Sequence, residues 1–250
     1  RLENIAKEGA AVDIQEMNYD DCVRLAAKEA DETPRGVMVQ DTAWDGYEEI
    51  PSWIMQGYGT MAMEAGEQLK EYGCERPTHI FVQAGVGSLA GAVVGYFSNL
   101  YADNPPVFVV VEAEAAACLY KGAAAGDGQI RIVDGDMETI MAGLACGEPN
   151  TISWDILKNH VKVFIAAPDW VAATGMRMLG APIKGDAPVT SGESGAAPFG
   201  ALAAVMSMDE YADLRKDIGL DENSRVLLFS TEGDTDPDRY KNIVWKGLDK

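Results

Sequence analysis

A glycine-rich turn between residues 83 and 91 is the part of the sequence best suited to carry chemistry. It reads QAGVGSLAG, follows the apolar run 80–82 and precedes helix-type sequence. Glycine adopts positive φ freely, and it lets an anion approach the backbone because it has no Cβ atom. Such a turn directs several N–H groups and the positive end of a helix at one point. The pattern therefore predicts a site for a phosphorylated cofactor or a nucleotide.

Two other interpretations of this turn stay open from the residues alone. Gly85 to Ala90 fits the dinucleotide-binding pattern in its alanine-ended form. Glu112 ends the next apolar run, at about the sequence distance expected of the acidic residue that binds the ribose. A tight strand-to-helix turn that binds nothing would contain the same glycines.

Two further segments carry polar groups where a ligand could bind. In SGESGA (191–196), Ser191 or Ser194 could bind an anion at a helix N-terminus, although a capping carboxylate there is the interpretation we favour. STEGDTD (230–236) follows an apolar run, and the carboxyl end of a parallel strand is where α/β sheets bind ligands. An acidic turn with an Asx cap would look similar.

The cysteines and histidines do not form a metal-binding pattern. The sequence has four cysteines with no CxxC pair and only two histidines, so we expect no metal site. We expect the cysteines to be buried thiols in a reducing compartment, the cytoplasm, with a Cys118–Cys146 pair as a less favoured alternative. Counting does not exclude a Cys–His nucleophilic pair, but nothing in the sequence supports one.

The net charge of −20 argues against two classes of partner, nucleic acid and anionic membranes, because both would be repelled. No apolar stretch is long enough to span a bilayer. The sequence begins at Arg1 with no initiator Met, which leads us to expect further sequence upstream.

Alternating strand and helix patterns predict an α/β fold with a mostly parallel sheet. Asn18 is the expected N-cap of one helix, with Asp21 at its third position, and Pro51 starts a long helix that Gly73 ends. A further helix is expected to run from the glycine turn to about Tyr101. The expected strands are 11–15, 36–40, 78–83, 107–111, 161–166 and 225–229.

Seven segments, in order along nearly the whole chain, resemble the diaminopropionate ammonia-lyase family. They are VQDTAWDGY (39–47), IPSWIMQGYGTMAMEAGEQ (50–68), QAGVGSLAG (83–91), VVVEAEAAACLY (109–120), TIMAGLACGEPN (139–150), SGESGA (191–196) and STEGDTD (230–236). The resemblance implies pyridoxal 5'-phosphate (PLP) as cofactor and the tryptophan synthase β-like fold, PLP fold type II. That fold has mostly parallel twisted sheets with flanking helices in two domains. We expect residues 1–50 to belong to the smaller domain and 51–250 to the larger, PLP-binding one.

The same resemblance implies an α,β-elimination. The family converts 2,3-diaminopropionate, as either the D or the L enantiomer, and water into pyruvate and two molecules of ammonia. Asp41 matches an aspartate near the substrate, and we expect it to bind or deprotonate the leaving ammonium side. The alternative is that Asp41 caps the turn 42–46. The family also implies a homodimer and a small amino acid as substrate.

The residues matched to the cofactor site fall into three groups. The phosphate cradle is matched by Gly85, Val86, Gly87, Ser88, Leu89 and Gly91. Ser230 matches the hydroxyl that faces the pyridine nitrogen, with Thr231 as the fallback, and Glu193 lies in a segment on the same side of the ring.

The lysine that binds the cofactor in this family has no match here. Lysines stand in other contexts, at positions 7, 28, 70, 121 and 184. We expect the matching lysine upstream, and we expect the chain alone to be inactive. Three alternatives stay open: a serine/threonine dehydratase-like PLP enzyme of the same fold, a non-catalytic binding or subunit protein, and a nucleotide-binding module.

Overall fold

A computed structural model describes residues 2–249 and has an α/β architecture. Within these residues, parallel strands form one sheet of four in the order β3-β2-β1-β4. The strands are β1 His79–Gln83, β2 Val107–Ala113, β3 Val161–Ala167 and β4 Val226–Leu228. The helices are α1 Leu2–Lys7, α2 Tyr19–Glu32, α3 Glu49–Glu71, α4 Ser88–Leu100, α5 Cys118–Ala125, α6 Thr151–His160, α7 Asp169–Gly180, α8 Glu193–Ser207, α9 Ala212–Ile218 and α10 Pro237–Val244.

The central strands are apolar because helices cover both faces of the sheet. Side chains of β1 alternate between the two faces: Phe81 packs on the side of α7 and α8, whereas Ile80 and Val82 pack on the side of α3 and α4. All three are fully buried. The two apolar layers hold β1 and β2 rigidly at the centre of the fold.

Parallel pairing brings the loops that follow the strands to one edge of the sheet. In the register, Gln83 lies opposite Val111 and Phe81 lies opposite Leu228. The glycine turn leaves the carboxyl end of β1, and the segment 229–236 leaves the carboxyl end of the neighbouring strand β4. The two segments singled out in the sequence are therefore neighbours in space.

Two predicted strands are wrong. Residues 11–15 and 36–40 form neither strand nor helix, and Ile14, Val37 and Val39 are each more than two-thirds exposed. Their apolar, β-branched residues resemble a strand locally, but no neighbouring strand pairs with them among the described residues. The remaining strands are confirmed to within one or two residues at each end.

The helix predictions are confirmed with small shifts. Asn18 caps α2, accepting a hydrogen bond from Asp21 N at 2.9 Å, and the long helix begins at Glu49, two residues before Pro51. The division at residue 50 stays a prediction, and its outermost positions, 1 and 250, lie outside the described residues. No helix within residues 2–249 has the length and apolar character needed to cross a membrane.

Candidate functional site

A cavity of about 340 Å³ opens at the carboxyl edge of β1 and β4. The glycine turn forms one wall, the loop 142–144 forms another, and side chains from distant parts of the chain complete it. These side chains belong to Tyr19, Asp41, Tyr58, Gln83, Cys146, Ser194, Thr231 and Glu232. Of the predicted site residues, the lining therefore includes Asp41, Gly85 to Leu89 and Thr231.

Gly87 gives the glycine turn its shape. Its φ is +101°, and a Cβ atom there would lie 2.9 Å from Ser153 Oγ. It is the N-cap residue of α4, and no side chain of the described residues caps that helix. The first N–H groups of α4 therefore remain at the cavity wall with the positive end of the helix dipole behind them, an arrangement that suits an anion.

Ser88 and Asn150 fix the backbone of Asp41 against the start of α4. The Ser88 hydroxyl and the Asn150 side-chain amide each donate to the Asp41 carbonyl oxygen at 2.7 Å. The amide also donates to Ser88 Oγ at 2.8 Å, and Asn150 Oδ1 caps α6. Both side chains are buried, so these polar groups satisfy one another and hold the segment near Asp41 in place.

The Asp41 carboxylate, unlike its backbone carbonyl group, accepts a hydrogen bond from a tyrosine. The Tyr58 hydroxyl, from α3, donates to Asp41 Oδ2 at 3.0 Å. Burial, together with the Asp41 charge and this hydrogen bond, raises the pKa of Tyr58 to about 12, so the phenol stays a donor at neutral pH. Burial also raises the pKa of Tyr19, on the same cavity wall, well above its usual value. Asp41 Oδ1 has no partner among residues 2–249.

The predicted residues Ser230, Glu193 and Gly91 do not line this cavity. Ser230 Oγ lies 2.8 Å from Ser191 Oγ, so that hydroxyl pair bridges two loops. Glu193 lies 3.3 Å from Arg239 and borders a separate, more open depression of about 930 Å³. Gly91 is a packing glycine, since a Cβ atom there would lie 2.7 Å from Ser153 Cβ.

The N-terminus of α8 is occupied by a carboxylate of the chain itself. Glu232 Oε1 accepts from Ser194 N at 2.7 Å and from Gly195 N at 3.3 Å. A capping carboxylate was the favoured interpretation of SGESGA, but it comes from the segment after β4 and not from Glu193. The geometry leaves no anion site at this helix end.

Glu112 does not line the cavity. It is fully buried, and its two carboxylate oxygens accept from Leu119 N at 2.8 Å and Tyr120 N at 2.7 Å at the start of α5. Burial raises its pKa to about 8. The dinucleotide interpretation needs this carboxylate for a ribose, so that interpretation is wrong.

The cysteines are free thiols throughout the part of the chain that the structure describes. Cys118 and Cys146 are buried behind the glycine turn, and the Cys118 thiol lies 3.7 Å from the Cys146 carbonyl oxygen. Burial raises the pKa of Cys146 to about 12, so this thiol stays protonated at neutral pH. Residues 2–249 contain no cluster of three or more His, Cys, Asp or Glu that could hold a metal ion.

Comparison with known proteins decides the family. Residues 1–232 match the family described as pyridoxal-phosphate dependent enzymes. The chain belongs to that family. Diaminopropionate ammonia-lyase from Salmonella typhimurium is 54% identical over 248 residues, which are 99% of this chain and 61% of that protein. Its counterpart from Escherichia coli K12 is 48% identical over 247 residues, again 99% of this chain and 61% of the relative.

A solved structure of this family has the same fold. The Escherichia coli diaminopropionate ammonia-lyase in complex with an aminoacrylate-PLP azomethine reaction intermediate superposes with a TM-score of 0.91 at 46% identity, covering 100% of this chain and 62% of that one. The chain thus spans about three-fifths of the length of the relatives it matches. PLP fold type II is confirmed as the fold class.

The cavity fits the cofactor of the family. The phosphate of PLP needs N–H donors, and the open N-terminus of α4 and residues 85–89 provide them. The pyridine nitrogen of PLP needs a hydroxyl partner in this family, and Thr231 is the lining residue that offers a hydroxyl on the β4 side of the cavity. Thr231, the fallback choice, lines the cavity and Ser230 does not, and the role of either hydroxyl toward the pyridine nitrogen stays a prediction. No lysine is among the described residues that line the cavity.

Several cavity residues were given no role from sequence. Tyr19 and Tyr58 line the cavity and Asn150 supports it through the Asp41 backbone; all three are brought there by tertiary packing, and no local pattern marks them. Gln83 did carry a signal, since this polar residue follows the apolar run 80–82 and directly precedes the first glycines of the turn.

Proposed function

We propose that this chain is part of a lyase that converts 2,3-diaminopropionate, D or L, and water into pyruvate and two ammonia molecules. The observation that carries the proposal is the 54% identity with diaminopropionate ammonia-lyase along 99% of the chain. The position of Asp41 in the same cavity as the glycine turn agrees with it.

PLP, when bound, supplies an electron sink that makes loss of the substrate Cα proton possible. The N–H groups at the start of α4 would bind its phosphate group. Thr231 would offer a neutral hydroxyl to the pyridine nitrogen. Ser88 and Asn150 keep the Asp41 backbone fixed relative to the same helix end, so phosphate anchor and acid–base group share one rigid support.

Asp41 is the residue we assign to the substrate. Tyr58 donates to Oδ2 and thereby orients the carboxylate, which leaves Oδ1 to bind an ammonium group or to accept a proton. A carboxylate at this place favours a substrate with a second amino group, because 2,3-diaminopropionate carries one where serine has a hydroxyl. The acidic lining thus distinguishes the lyase from a serine dehydratase of the same fold.

Pyruvate release by the PLP-loaded full-length protein tests the proposal. D- and L-2,3-diaminopropionate and L-serine are compared at equal concentrations, and ammonia is measured alongside. We expect two ammonia per pyruvate from diaminopropionate and a much lower rate from serine. Pyruvate from serine alone would identify a dehydratase and contradict the proposal, and so would bound PLP without any pyruvate.

We also propose that the protein is a cytoplasmic homodimer whose substrate is a small amino acid. The dimer rests on the family resemblance, and the compartment rests on the free cysteines, which are typical of a reducing environment. Sedimentation of the full-length protein should give twice the monomer mass, and fractionation of the source cells should place it with cytoplasmic markers. A monomeric mass would contradict the first statement and recovery outside the cytoplasm the second.

A further inference from the structure

Gln83 is a buried polar residue at the carboxyl end of β1, a central strand of the sheet. It is the last residue of β1, only 3% exposed, and it lines the cavity directly before the glycine turn. Its Nε2 donates to Phe229 O at 3.0 Å and to Thr231 Oγ1 at 2.8 Å. Gln83 therefore connects β1 to the segment that follows β4.

The orientation of the Gln83 amide follows from its partners. A backbone carbonyl oxygen only accepts hydrogen bonds, so the NH₂ group must face Phe229 O. The same NH₂ group then faces Thr231, and the Thr231 oxygen is an acceptor in that contact. Thr231 must direct its own proton elsewhere, and it donates to no acceptor among residues 2–249.

The other half of the amide shows that this arrangement has a cost. Gln83 Oε1 is buried and has no hydrogen-bond partner among the described residues. A buried acceptor without a partner destabilises a fold, and an apolar residue would suit this strand position better. The polar side chain is thus better explained by what it does to Thr231 than by the packing of β1.

We propose that Gln83 is a positioning residue for the cofactor, holding Thr231 so that its hydroxyl donates its proton to the pyridine nitrogen of PLP. A nitrogen that accepts this hydrogen bond carries no proton of its own, so Gln83 tunes the electron-withdrawing strength of the ring through Thr231. The inference rests on the PLP site and not on the substrate proposed above. Cofactor binding without substrate therefore tests it independently of the reaction.

A double-mutant cycle on the PLP-loaded full-length protein separates positioning from simple packing. Gln83→Met removes the donor and keeps the length, and Thr231→Val removes the hydroxyl. We expect each to weaken PLP binding about fivefold to tenfold. Each should also change the absorbance band of the bound cofactor in the same direction. In the Thr231→Val background, Gln83→Met should add nothing further, whereas in the Thr231→Ser background its effect should return.

His79→Leu is the matched control. His79 is also a buried polar residue of β1, but it lies at the opposite end of the strand, where Nε2 donates to Ile218 O at 2.9 Å. It should lower the unfolding midpoint and leave PLP affinity and the absorbance band unchanged. If Gln83→Met fails to fold, Gln83→Glu keeps the side-chain shape with at most one proton to share, and it should reproduce the band change.

Two results would overturn the proposal. Effects of Gln83→Met and Thr231→Val that multiply would mean that Gln83 acts without Thr231. Unchanged PLP affinity and an unchanged band in a folded Gln83 variant would mean that it does not act on the cofactor at all.

Discussion

Helices α4 and α8 begin at the same edge of the sheet, each after a glycine, yet their N-termini face different partners. Gly87 precedes α4, whose first N–H groups line a cavity without any side-chain cap from the described residues. Gly192 precedes α8, and Glu232 fills the position that an anion would occupy there. One helix end is kept open for a ligand, and the other is closed by the chain itself.

The difference shows that a helix N-terminus becomes a binding site only where the fold supplies no anion of its own. Both ends have the same dipole and the same orphan N–H groups. What separates them is the segment that packs in front: Asp41 turns its carbonyl oxygen toward α4, whereas Glu232 turns its carboxylate toward α8. Four substitutions test this contrast; the first three are ordered by decreasing expected effect, and the fourth tests the dependence on pH.

Asp41→Asn should have the largest effect if the open end of α4 serves a reaction. The amide cannot accept a proton or hold the second ammonium group, so kcat should fall about 1000-fold, while PLP affinity stays within a factor of about two. Steady-state pyruvate release and PLP titration measure the two quantities. Asp45→Asn, a nearby exposed aspartate outside the cavity lining, is the matched control and should change neither. Unchanged turnover in Asp41→Asn would remove Asp41 from the chemistry.

Gly87→Ala should weaken PLP binding at least about tenfold, because an L-residue at φ +101° is strained and its Cβ would crowd Ser153. Equilibrium titration with PLP measures the loss. Gly126→Ala provides the control, since Gly126 also has a positive φ, +69°, but has no atom within 4 Å of the added Cβ. It should cost stability alone. Equal losses of PLP affinity in both variants would show that backbone strain, and not the shape of the α4 end, controls binding.

Glu232→Ala should open the end of α8. Loss of the carboxylate cap should lower the free energy of unfolding by about 1 kcal/mol. The freed N–H groups of Ser194 and Gly195 should then let inorganic phosphate raise the melting temperature more in the variant than in the wild type. Glu232→Gln, which keeps an oxygen acceptor without the charge, should fall between the two. A variant that phosphate stabilises no more than the wild type would contradict the proposed capping role.

Glu112 caps α5, another helix N-terminus closed by the chain itself, and its contribution to stability should depend on pH. Burial raises its pKa from 4.5 to about 8, so the native state keeps a proton that the unfolded chain releases between these values. Its contribution to stability is present below pH 4.5 and is lost as the pH rises toward 8. From pH 5 to pH 8 the wild type should therefore lose about 1 to 3 kcal/mol more stability than Glu112→Gln. Urea unfolding at both pH values measures this, and parallel pH dependence in the two proteins would show that Glu112 titrates normally.

Local pattern was sufficient for the elements that carry their own signal. A few consecutive residues were enough to predict the strands β1 and β2, the N-cap Asn18 and the glycine turn. For the runs 11–15 and 36–40 they were not enough, because a strand exists only if another strand pairs with it, and pairing is a long-range property. The functional site was likewise predictable only where its residues are close together in the sequence.

The glycine turn could be found from sequence, but the residues that complete the cavity could not. Tyr58 reaches Asp41 from 17 positions away, and Thr231 reaches Gln83 from 148 positions away. Ser230 and Thr231 are neighbours with interchangeable chemistry, and only the twist of the chain after β4 decides which hydroxyl enters the cavity. Such choices depend on packing that no local sequence pattern records.

The most direct test of this account is a crystal structure of the full-length protein with PLP bound, refined far enough to place the phosphate group. We predict phosphate oxygens within hydrogen-bond distance of the N–H groups at residues 87–89, with Glu232 still capping α8. A phosphate bound at the start of α8, with the Glu232 carboxylate displaced, would contradict the assignment of the two helix ends.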